Sequence, residues 1–329
     1  MSPLDNITRV VADSDLDGLM AAAVLKAAKP SIEVHFAHPA LIRAGSIDHL
    51  IDRNTAICDL PFHENCGLYL DHHQTNRPTK QQQILFEQSG GICHWRDTPS
   101  AARAAFDLMK DELDLSHLEE IMPLVDDLDS GGISLSEFME DGPVIRLSRS
   151  LSLKDKNHMQ VVLNQFAEGE SLDNIIASHQ ERLSKLETER EAQTELVRKN
   201  TTIVDKLAIC DLSETGSRSN GYLVTALAGP NAIACCVIHG FIDGTIDNPN
   251  RQALGASFYA NSFLDEENPY DLSKLATLLD ATGGGHANAC GCRVQPADKS
   301  REMLVETDKD YNLQKWLELW SKRDTLMRR

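Results

Sequence analysis

The chain has 329 residues, of which 41% are hydrophobic and 25% are charged, as is ordinary for a soluble globular protein. This length predicts two domains, and no apolar run approaches the length of a transmembrane helix. The net charge of −18, from 32 basic and 50 acidic residues, argues against a broad surface that binds long nucleic acid, because such surfaces need many Lys and Arg side chains. A small polyanion bound beside metal ions is still compatible, since the cations reverse the local field.

The cysteine pattern is typical of buried thiols in a reducing compartment. The eight cysteines are scattered, apart from Cys235-Cys236 and Cys290-Gly291-Cys292. No pair of CxxC motifs occurs, which argues against a zinc ribbon. Because half of the cysteines lie in or beside apolar segments, we expect those to be small buried residues and the protein to be cytoplasmic.

Strands and helices alternate in the N-terminal half. Residues 6–12 predict a first strand, and the Ala-rich residues 19–28 predict a helix. Three further strands are predicted at residues 32–37, 55–58 and 67–70. A later helix is predicted from Thr98, as its cap, to Lys110. This alternation predicts an α/β domain with a mostly parallel, doubly wound sheet.

The C-terminal half has a different pattern. Residues 171–200 predict one long charged helix, which we interpret as a bridge between domains. Short β-like runs separated by Gly, Asn, Pro and Asp turns then predict a smaller mixed α/β domain. These runs are residues 202–210, 222–227, 232–239, 254–259 and 290–294. We therefore expect domains at 1–150 and 201–329, joined by a helical linker at 151–200.

Three aspartates, Asp13, Asp15 and Asp17, directly follow the first predicted strand. In an extended loop, alternate side chains point the same way, so these carboxylates can converge. They would repel one another strongly without cations. A solvated Asp-rich turn is the alternative interpretation, whereas an EF-hand is excluded because its Gly and Glu positions are not matched.

Polar residues also follow two later strands. Asp59 ends the third predicted strand, and Asp71-His72-His73 follows the fourth. Carboxyl ends of parallel strands meet at one edge of a sheet, where ligands bind. Carboxylate and imidazole ligands together suit Mn²⁺ or Mg²⁺, with Co²⁺ or Fe²⁺ as substitutes. A turn with hydrogen-bonded histidines is the alternative for the triplet.

Two further motifs complete the set. An acidic segment offers three candidate ligands, of which we prefer Asp126, with Asp129 second and Asp127 also available. Three glycines at 283–285 precede His286. Glycines let a backbone approach a ligand closely, and their N–H groups can hold an anionic oxygen. A flexible turn with an incidental histidine is the alternative.

The five motifs, in this order, resemble the DHH phosphoesterase superfamily. They are Asp13-Ser-Asp15-Leu-Asp17-Gly18 before an Ala-rich helix, Asp59, Asp71-His72-His73, the acidic fourth segment and Gly283-Gly-Gly-His286. The resemblance covers residues 6–294 and includes the DHH-associated C-terminal domain of RecJ-like and nano-RNase-like members. It implies an enzyme that hydrolyses phosphoester bonds.

The resemblance also implies a role for each matched residue. The metal ligands that it implies are Asp15, Asp17, Asp59, His72 and Asp126. Asp59 would be shared by two divalent ions, with Mn²⁺ preferred and Mg²⁺ or Co²⁺ as alternatives. Of the two implied catalytic residues, His73 contacts the substrate phosphate and Asp71 orients the site. The implied substrate-binding loop comprises Gly284, Gly285 and His286.

Two positions depart from the family pattern. The family usually has His where this chain has Asp13, but aspartate can still bind Mn²⁺, so Asp13 stays in the predicted ligand set. Relatives often have an Arg in the strand at 255–259, where this chain has Tyr259. Arg251 and Arg293 are the alternative cations. The second departure affects the choice of substrate.

We therefore predict a two-metal phosphoesterase that acts on short oligonucleotides or nucleotide-derived phosphoesters. A phosphomonoesterase or exopolyphosphatase, acting on pAp or polyphosphate, is the alternative enzyme. A non-catalytic nucleotide-binding protein is the alternative from another class. Long nucleic acid and membrane are not expected as partners. A homodimer through the helix at 171–200, or through a terminal helix with Trp316 and Trp320, is also considered.

Overall fold

The computed structural model describes residues 2–240, 254–266, 268–301 and 304–329. The chain divides into two compact units, Met1–Glu187 and Thr188–Arg329. The predicted fold class is confirmed, because the first unit has a parallel sheet with helices and the second, smaller unit has a mixed sheet. Residues 151–187, which we expected in a linker, group with the first unit.

The first unit is built on a five-stranded parallel sheet. Its strands are β1 (Arg9–Asp13), β2 (Glu33–Ala37), β3 (Thr55–Cys58), β4 (Leu68–Asp71) and β5 (Ile92–Trp95). Their order is β2-β1-β3-β4-β5, and every pairing is parallel. Strand β2 thus lies on one side of β1, at one edge of the sheet, whereas β3, β4 and β5 follow one another on the other side. The carboxyl ends of β1 and β3 therefore form the switch point of a doubly wound sheet.

Both faces of this sheet are buried. The helices of the unit are α1 (Leu16–Ala28), α2 (Pro39–Arg43), α3 (Lys80–Gln88), α4 (Ala101–Met109), α5 (Met122–Ser130), α6 (Leu135–Glu140), α7 (Pro143–Ser150), α8 (Lys156–Ala167) and α9 (Leu172–Ser178). Alternate strand residues point to opposite faces. Val10 and Ala12 accordingly pack in one core with Leu19 of α1, whereas Val11 and Ile57 pack in the other. This explains why the strands are almost continuously apolar.

Several local details differ from the sequence predictions. Helix α1 begins at Leu16 instead of Leu19, because Asp15 caps it by accepting a hydrogen bond from the Gly18 N–H. Ser100, not Thr98, caps α4 by accepting from the backbone N–H of its third residue. Strand β5 and helix α3 were not predicted. The long helix expected at 171–200 is interrupted after α9, and α10 (Gln180–Lys199) follows and contains the boundary between the units.

The second unit has a six-stranded mixed sheet. Its strands are β6 (Thr201–Val204), β7 (Leu207–Asp211), β8 (Ala234–Ile238), β9 (Gly255–Ala260), β10 (Gly284–Gly285) and β11 (Ala289–Arg293). They lie in the order β10-β11-β9-β8-β7-β6, with only β7 and β8 parallel among these described strands. The helices of the unit after α10 are α11 (Gly221–Ala228), α12 (Ser273–Ala276), α13 (Glu306–Trp320) and α14 (Arg323–Leu326).

Two predictions for the second unit were wrong. Residues 222–227 form part of α11 and not a strand, because Asn220 caps this helix and its burial outweighs the weak local β propensity. The run at 202–210 is two strands, β6 and β7. They are joined by a turn at Asp205 and Lys206, whose φ values are +47° and +63°, as a tight hairpin requires.

The terminal tryptophans lie in the core of the second unit. Trp316 and Trp320 of α13 are 0% and 1% exposed, and the Trp316 ring contacts Phe258 edge to face. Both tryptophans thus pack within their own unit, and the dimer considered for this helix stays a prediction. In the described ranges, no helix combines the length and apolar character needed to cross a bilayer.

Candidate metal centre

The predicted aspartates of the first three motifs meet at the switch point of the parallel sheet. Cys58 of β3 lies opposite Ala12 of β1 and opposite Leu70 of β4. The next residue on each chain segment is an aspartate, so Asp13, Asp59 and Asp71 lie at the same level of three adjacent strands. This register explains how residues far apart in sequence come together.

Asp59 is at the centre of the cluster. It is 2% exposed and has a φ of +58°, in the left-handed region that few non-glycine residues adopt. Its Oδ1 atom lies 3.3 Å from His73 Nδ1 and 3.8 Å from His72 Nε2, but it accepts no well-directed hydrogen bond from any described residue. Such backbone strain concentrates at functional sites, and here it aims a buried carboxylate at both histidines.

Both carboxylate oxygens of Asp71 accept hydrogen bonds from neighbouring residues in the sequence. Its Oδ1 accepts from the backbone N–H groups of His72 and His73, at 2.7 and 3.1 Å, and lies 2.9 Å from His73 Nδ1. Its Oδ2 accepts from the Tyr69 hydroxyl at 2.6 Å. Although burial raises the pKa of Asp71, the hydrogen bonds from His73 and Tyr69 outweigh it and hold that pKa below its usual value. This geometry suits a residue that orients its neighbours.

His72 directs one ring nitrogen into the cluster. Its Nδ1 lies 3.1 Å from the Thr98 carbonyl oxygen, to which it can donate. The other nitrogen, Nε2, lies 3.2 Å from Asp129 and 3.6 Å from Asp17. A backbone acceptor for one nitrogen commonly fixes the ring of a metal-binding histidine. Burial lowers the pKa of His72, but Asp129 and Asp17 raise it more, to about 9, so an ion would displace a proton.

Asp17 does not extend from a loop as predicted, because it lies in the first turn of α1. Its two carboxylate oxygens accept hydrogen bonds from the N–H groups of Ala101 and Ala102, at 2.8 and 2.6 Å. These are the first residues of α4, and the N-terminus of a helix favours negative charge. The carboxylate is 2% exposed and still reaches His72, so α4 holds Asp17 within the cluster.

Asp13 and Asp15 complete the other side of the cluster. Ligand atoms of Asp13, Asp15 and Asp59 all lie within 4.8 Å of one another. The Asp13 carboxylate accepts from the Ser14 N–H at 2.5 Å, and that of Asp15 accepts from the Gly18 N–H at 3.0 Å. Local hydrogen bonds therefore orient both carboxylates. We had expected them to converge because alternate side chains of an extended loop point the same way.

Two aspartates of the acidic fourth motif, Asp126 and Asp129, make different contacts. Asp126 accepts from Ser100 Oγ at 2.7 Å and from the Arg103 guanidinium at 2.9 and 2.6 Å. Asp129, one turn later on α5, has its Oδ2 beside His72. Asp17, His72 and Asp129 can offer ligand atoms within 4.8 Å of one another. The structure thus brings the second-choice residue, Asp129, into the cluster and holds Asp126 outside it.

A divalent cation fits this arrangement. Burial and the charge of Asp15 raise the pKa of Asp13 to about 8, and burial with the charges of nearby aspartates raises the pKa of Asp17 and Asp59 well above the usual value. Within the described ranges, no group donates a well-directed hydrogen bond to the buried Asp59 Oδ1. A bound cation would offset the repulsion between the carboxylates, and it would interact with the Asp59 oxygen in place of a hydrogen-bond donor. Carboxylate oxygens with imidazole nitrogen are donors that Mn²⁺ accepts.

The glycine motif of the second unit forms a tight hairpin. The N–H of His286 donates to the Ala289 carbonyl at 2.7 Å, and Gly285 has a φ of +135°. A Cβ atom on Gly283 would lie 2.4 Å from the Ala276 carbonyl oxygen, whereas one on Gly284 would meet nothing within 4 Å. Packing therefore explains Gly283 and Gly285, but it does not explain the missing side chain of Gly284.

The alternative cations of this unit have different surroundings. Arg293 contacts Asp280 through its backbone N–H, at 2.9 Å, and through Nε, at 3.4 Å. Arg251 lies outside the described residues. The Tyr259 ring is close to Gly221, where an added Cβ would lie 2.0 Å from it. Tyr259 thus supports the start of α11.

Sequence reasoning missed the residues that hold the cluster in place. The segment from Thr98 to Ala102 supplies the acceptor for His72, the donor Ser100 for Asp126 and the two N–H groups for Asp17. Most of these contacts use backbone atoms, which leave no residue signature. The Thr-Pro-Ser sequence after a short apolar run was the only signal, and it indicated a helix start.

Comparisons with solved structures agree with the motif analysis. The chain matches no protein-family model, and a search of curated proteins found no match. A pGpG-specific phosphodiesterase from Vibrio cholerae has a TM-score of 0.66 and 20% identity, over 95% of this chain and 99% of its own. An exopolyphosphatase-related protein from Bacteroides fragilis has a TM-score of 0.54 and 14% identity, over 98% and 94%. At these identities the likeness shows a shared fold along nearly the whole chain.

Proposed function

We propose that this protein is a divalent-metal-dependent phosphoesterase. The observation that carries the proposal is the convergence of buried carboxylates and His72 at the switch point of the sheet. Clustered charges of one sign are costly to bury unless a cation neutralises them. The predicted Mn²⁺, with Mg²⁺ or Co²⁺ as alternatives, suits this mixture of oxygen and nitrogen donors.

The geometry supports two ions whose ligand sets meet at Asp59. One would be held by Asp13, Asp15 and Asp59, and the other by Asp17, His72 and Asp129. Oδ1 of Asp59 also approaches His72, which supports its predicted role as the shared ligand. We propose Asp129 in place of Asp126, because Asp126 already binds Arg103.

The neighbouring side chains can then prepare the substrate. When bound, the ions would lower the pKa of a water molecule and offset negative charge on the phosphoryl oxygens. Asp71 holds the Nδ1 side of His73 at 2.9 Å. This contact directs Nε2 of His73 away from Asp71, and with both ring nitrogens protonated Nε2 can donate to a phosphoryl oxygen.

Short oligonucleotides or nucleotide-derived phosphoesters are the proposed substrates. The similar fold of the pGpG-specific phosphodiesterase supports this choice, as does the chain's net charge of −18, which disfavours long nucleic acid. The exopolyphosphatase-related protein of similar fold supports a second candidate, hydrolysis of pAp or polyphosphate. Gly284 suits close approach of a ligand in either case, because its missing side chain has no packing cause.

Product analysis with Mn²⁺ tests the proposal. The protein is incubated with 5′-phosphorylated dinucleotides, pAp and polyphosphate, with and without EDTA. Nucleoside monophosphates from the dinucleotide support the phosphodiesterase, and inorganic phosphate from pAp or polyphosphate supports the second candidate. No turnover of any substrate, with less than one Mn²⁺ bound per chain, would instead favour a non-catalytic nucleotide-binding protein.

A further inference from the structure

Trp95 and Arg77 form a cation–π pair next to the candidate metal centre. Trp95 ends β5, and Arg77 follows β4. The guanidinium carbon of Arg77 lies 4.2 Å from the centre of the Trp95 ring. The indole N–H of Trp95 donates to the His73 carbonyl oxygen at 3.0 Å. The pair is thus fixed to the backbone of the residue whose side chain contacts Asp59 and Asp71.

Arg77 and Arg96 lie at this position, and neither has a carboxylate partner in the part of the chain that the structure describes. Arg96 donates to the Trp95 carbonyl oxygen at 3.0 Å, and Arg77 contacts the indole. Among the described residues, neither forms an ion pair, and both are exposed. The nearby Asp97 instead accepts from Gln74 Nε2 at 3.3 Å. In a protein with a net charge of −18, these guanidinium groups are available to an anionic ligand with a flat ring.

We propose that Arg77, supported by Trp95, forms a subsite on which a nucleobase stacks, while Arg96 attracts a phosphate of the same nucleotide. Bases stack on guanidinium planes as well as on aromatic rings, and an indole beneath the guanidinium holds that plane in place. A polyphosphate would gain nothing from such a stack. The inference rests on the proposed function for its substrate class, but base binding can be measured without any reaction.

The intrinsic fluorescence of the full-length protein offers a direct binding assay. The chain has three tryptophans, of which Trp316 and Trp320 are almost fully buried and Trp95 is half-buried. We expect AMP and GMP to quench the fluorescence in a saturable way in EDTA, where no metal-dependent reaction occurs. Ribose 5-phosphate and pyrophosphate should not quench it, and the Trp95→Phe variant should lose the response. Equal quenching by the ligands without a base, or none by the nucleotides, would overturn the inference.

Variants of Arg77 test the stack itself, by calorimetry with AMP. Because base stacking contributes about 1–3 kcal/mol per base, Arg77→Ala should weaken AMP binding about 5- to 150-fold. Arg77→Lys should weaken it almost as much, since lysine keeps the charge but lacks the plane. Arg43→Ala, which removes an exposed arginine that ends α2, is the matched control and should change nothing. AMP binding by Arg77→Ala that is as tight as that of the wild type, or tighter, would contradict a role for the guanidinium.

Calorimetry with AMP, which has a base, and with pyrophosphate, which has none, tests the role of Arg96. Arg96→Ala should weaken AMP and pyrophosphate alike, because it removes charge and no stacking surface. Weakening of neither ligand would overturn the phosphate contact. The results also separate this inference from the proposed function. Metal-dependent hydrolysis without base-specific binding refutes the subsite alone, whereas base-specific binding without hydrolysis of any phosphoester refutes the proposed function alone.

Discussion

Oδ2 of Asp129 lies 3.2 Å from Nε2 of His72, whereas Asp126, on the same helix, is bound by Arg103. The two aspartates are three residues apart on α5, so they share one side of the helix. Asp126 ties α5 to Arg103 and Ser100 of the α4 region. That attachment positions Asp129 beside the histidine, so one acidic run contains both an anchor and a candidate ligand.

Variants of these two aspartates should separate the two tasks. Asp129→Asn should lower Mn²⁺ affinity by about 10- to 100-fold or more, because it removes a charged ligand. Asp126→Asn should leave most of the affinity but cost about 1–3 kcal/mol of unfolding free energy, since Arg103 loses its charged partner. Calorimetric Mn²⁺ titration and urea unfolding in EDTA measure the two effects. Equal loss of Mn²⁺ affinity in both variants would contradict this division.

Asp59→Asn should have opposite effects with and without metal. In EDTA, the variant should be at least as stable as the wild type, because it removes one charge from a cluster of like charges. Asparagine also tolerates the positive φ at this position. Mn²⁺ at 100 times its Kd should stabilise the wild type by about 2.7 kcal/mol and the variant by far less. Thermal unfolding in both buffers tests this, and a variant stabilised by Mn²⁺ as strongly as the wild type would refute a shared ligand.

Gly284 and Gly285 should respond differently to alanine. Gly285→Ala should lower the thermal stability of the second unit, because its φ is +135° and a Cβ would lie 2.6 Å from the Ala289 carbonyl oxygen. Gly284→Ala should leave stability unchanged, since the added methyl group meets nothing. If Gly284 contacts substrate, the same variant should raise KM. Unchanged stability and unchanged KM in Gly284→Ala would argue against its place in the substrate-binding loop.

Stability should depend on pH through His158, which lies far from the cluster in sequence. Burial, with the charges of Arg182 and His179, lowers the pKa of His158 to about 4, although Asp155 acts in the opposite direction. Its Nε2 lies 2.8 Å from Ser150 Oγ. The unfolded chain, with a histidine pKa near 6.5, therefore binds the proton more readily than the folded protein does. The unfolding free energy should fall by about 1–3 kcal/mol as the pH is lowered from about 6.5 to about 4.

Urea unfolding across this pH range measures the effect. His158→Gln removes the titrating group, so its stability should depend less on pH than that of the wild type. Other groups, such as Asp155, titrate in both proteins and cancel in the comparison. Identical pH profiles would show that His158 is not the cause.

The sequence predicted the strand-end part of the cluster because parallel strands impose a simple rule. Asp59 and Asp71 each follow a short apolar run, and the ends of such runs meet at one edge of the sheet. No side-chain pattern reveals the register between strands, so the register was not predicted. The alternation of strands and helices predicted the parallel sheet, and the short β-like runs predicted the smaller mixed α/β domain.

The missed features depend on backbone atoms or on weak periodicity. The binding of Asp17 to the N-terminus of α4 uses two peptide N–H groups, which any residue could supply. Strand β5 has only four residues, one of them His94, so neither length nor alternation distinguishes it. Asp126 and Asp129 could not be separated from sequence, because the choice depends on where Arg103 lies in the folded protein.

Mn²⁺-dependent hydrolysis by ligand variants tests the central claim most directly. The substrates are bis-p-nitrophenyl phosphate and a 5′-phosphorylated dinucleotide, and the proteins are the wild type, His72→Ala, Asp59→Asn and the control Asp111→Asn, which changes an exposed aspartate. We expect activity in the wild type and the control, and EDTA should abolish it. The two ligand variants should lose about 100-fold or more of this activity, equivalent to about 2.7 kcal/mol of transition-state stabilisation. Wild-type rates in His72→Ala and Asp59→Asn would contradict the proposed metal centre.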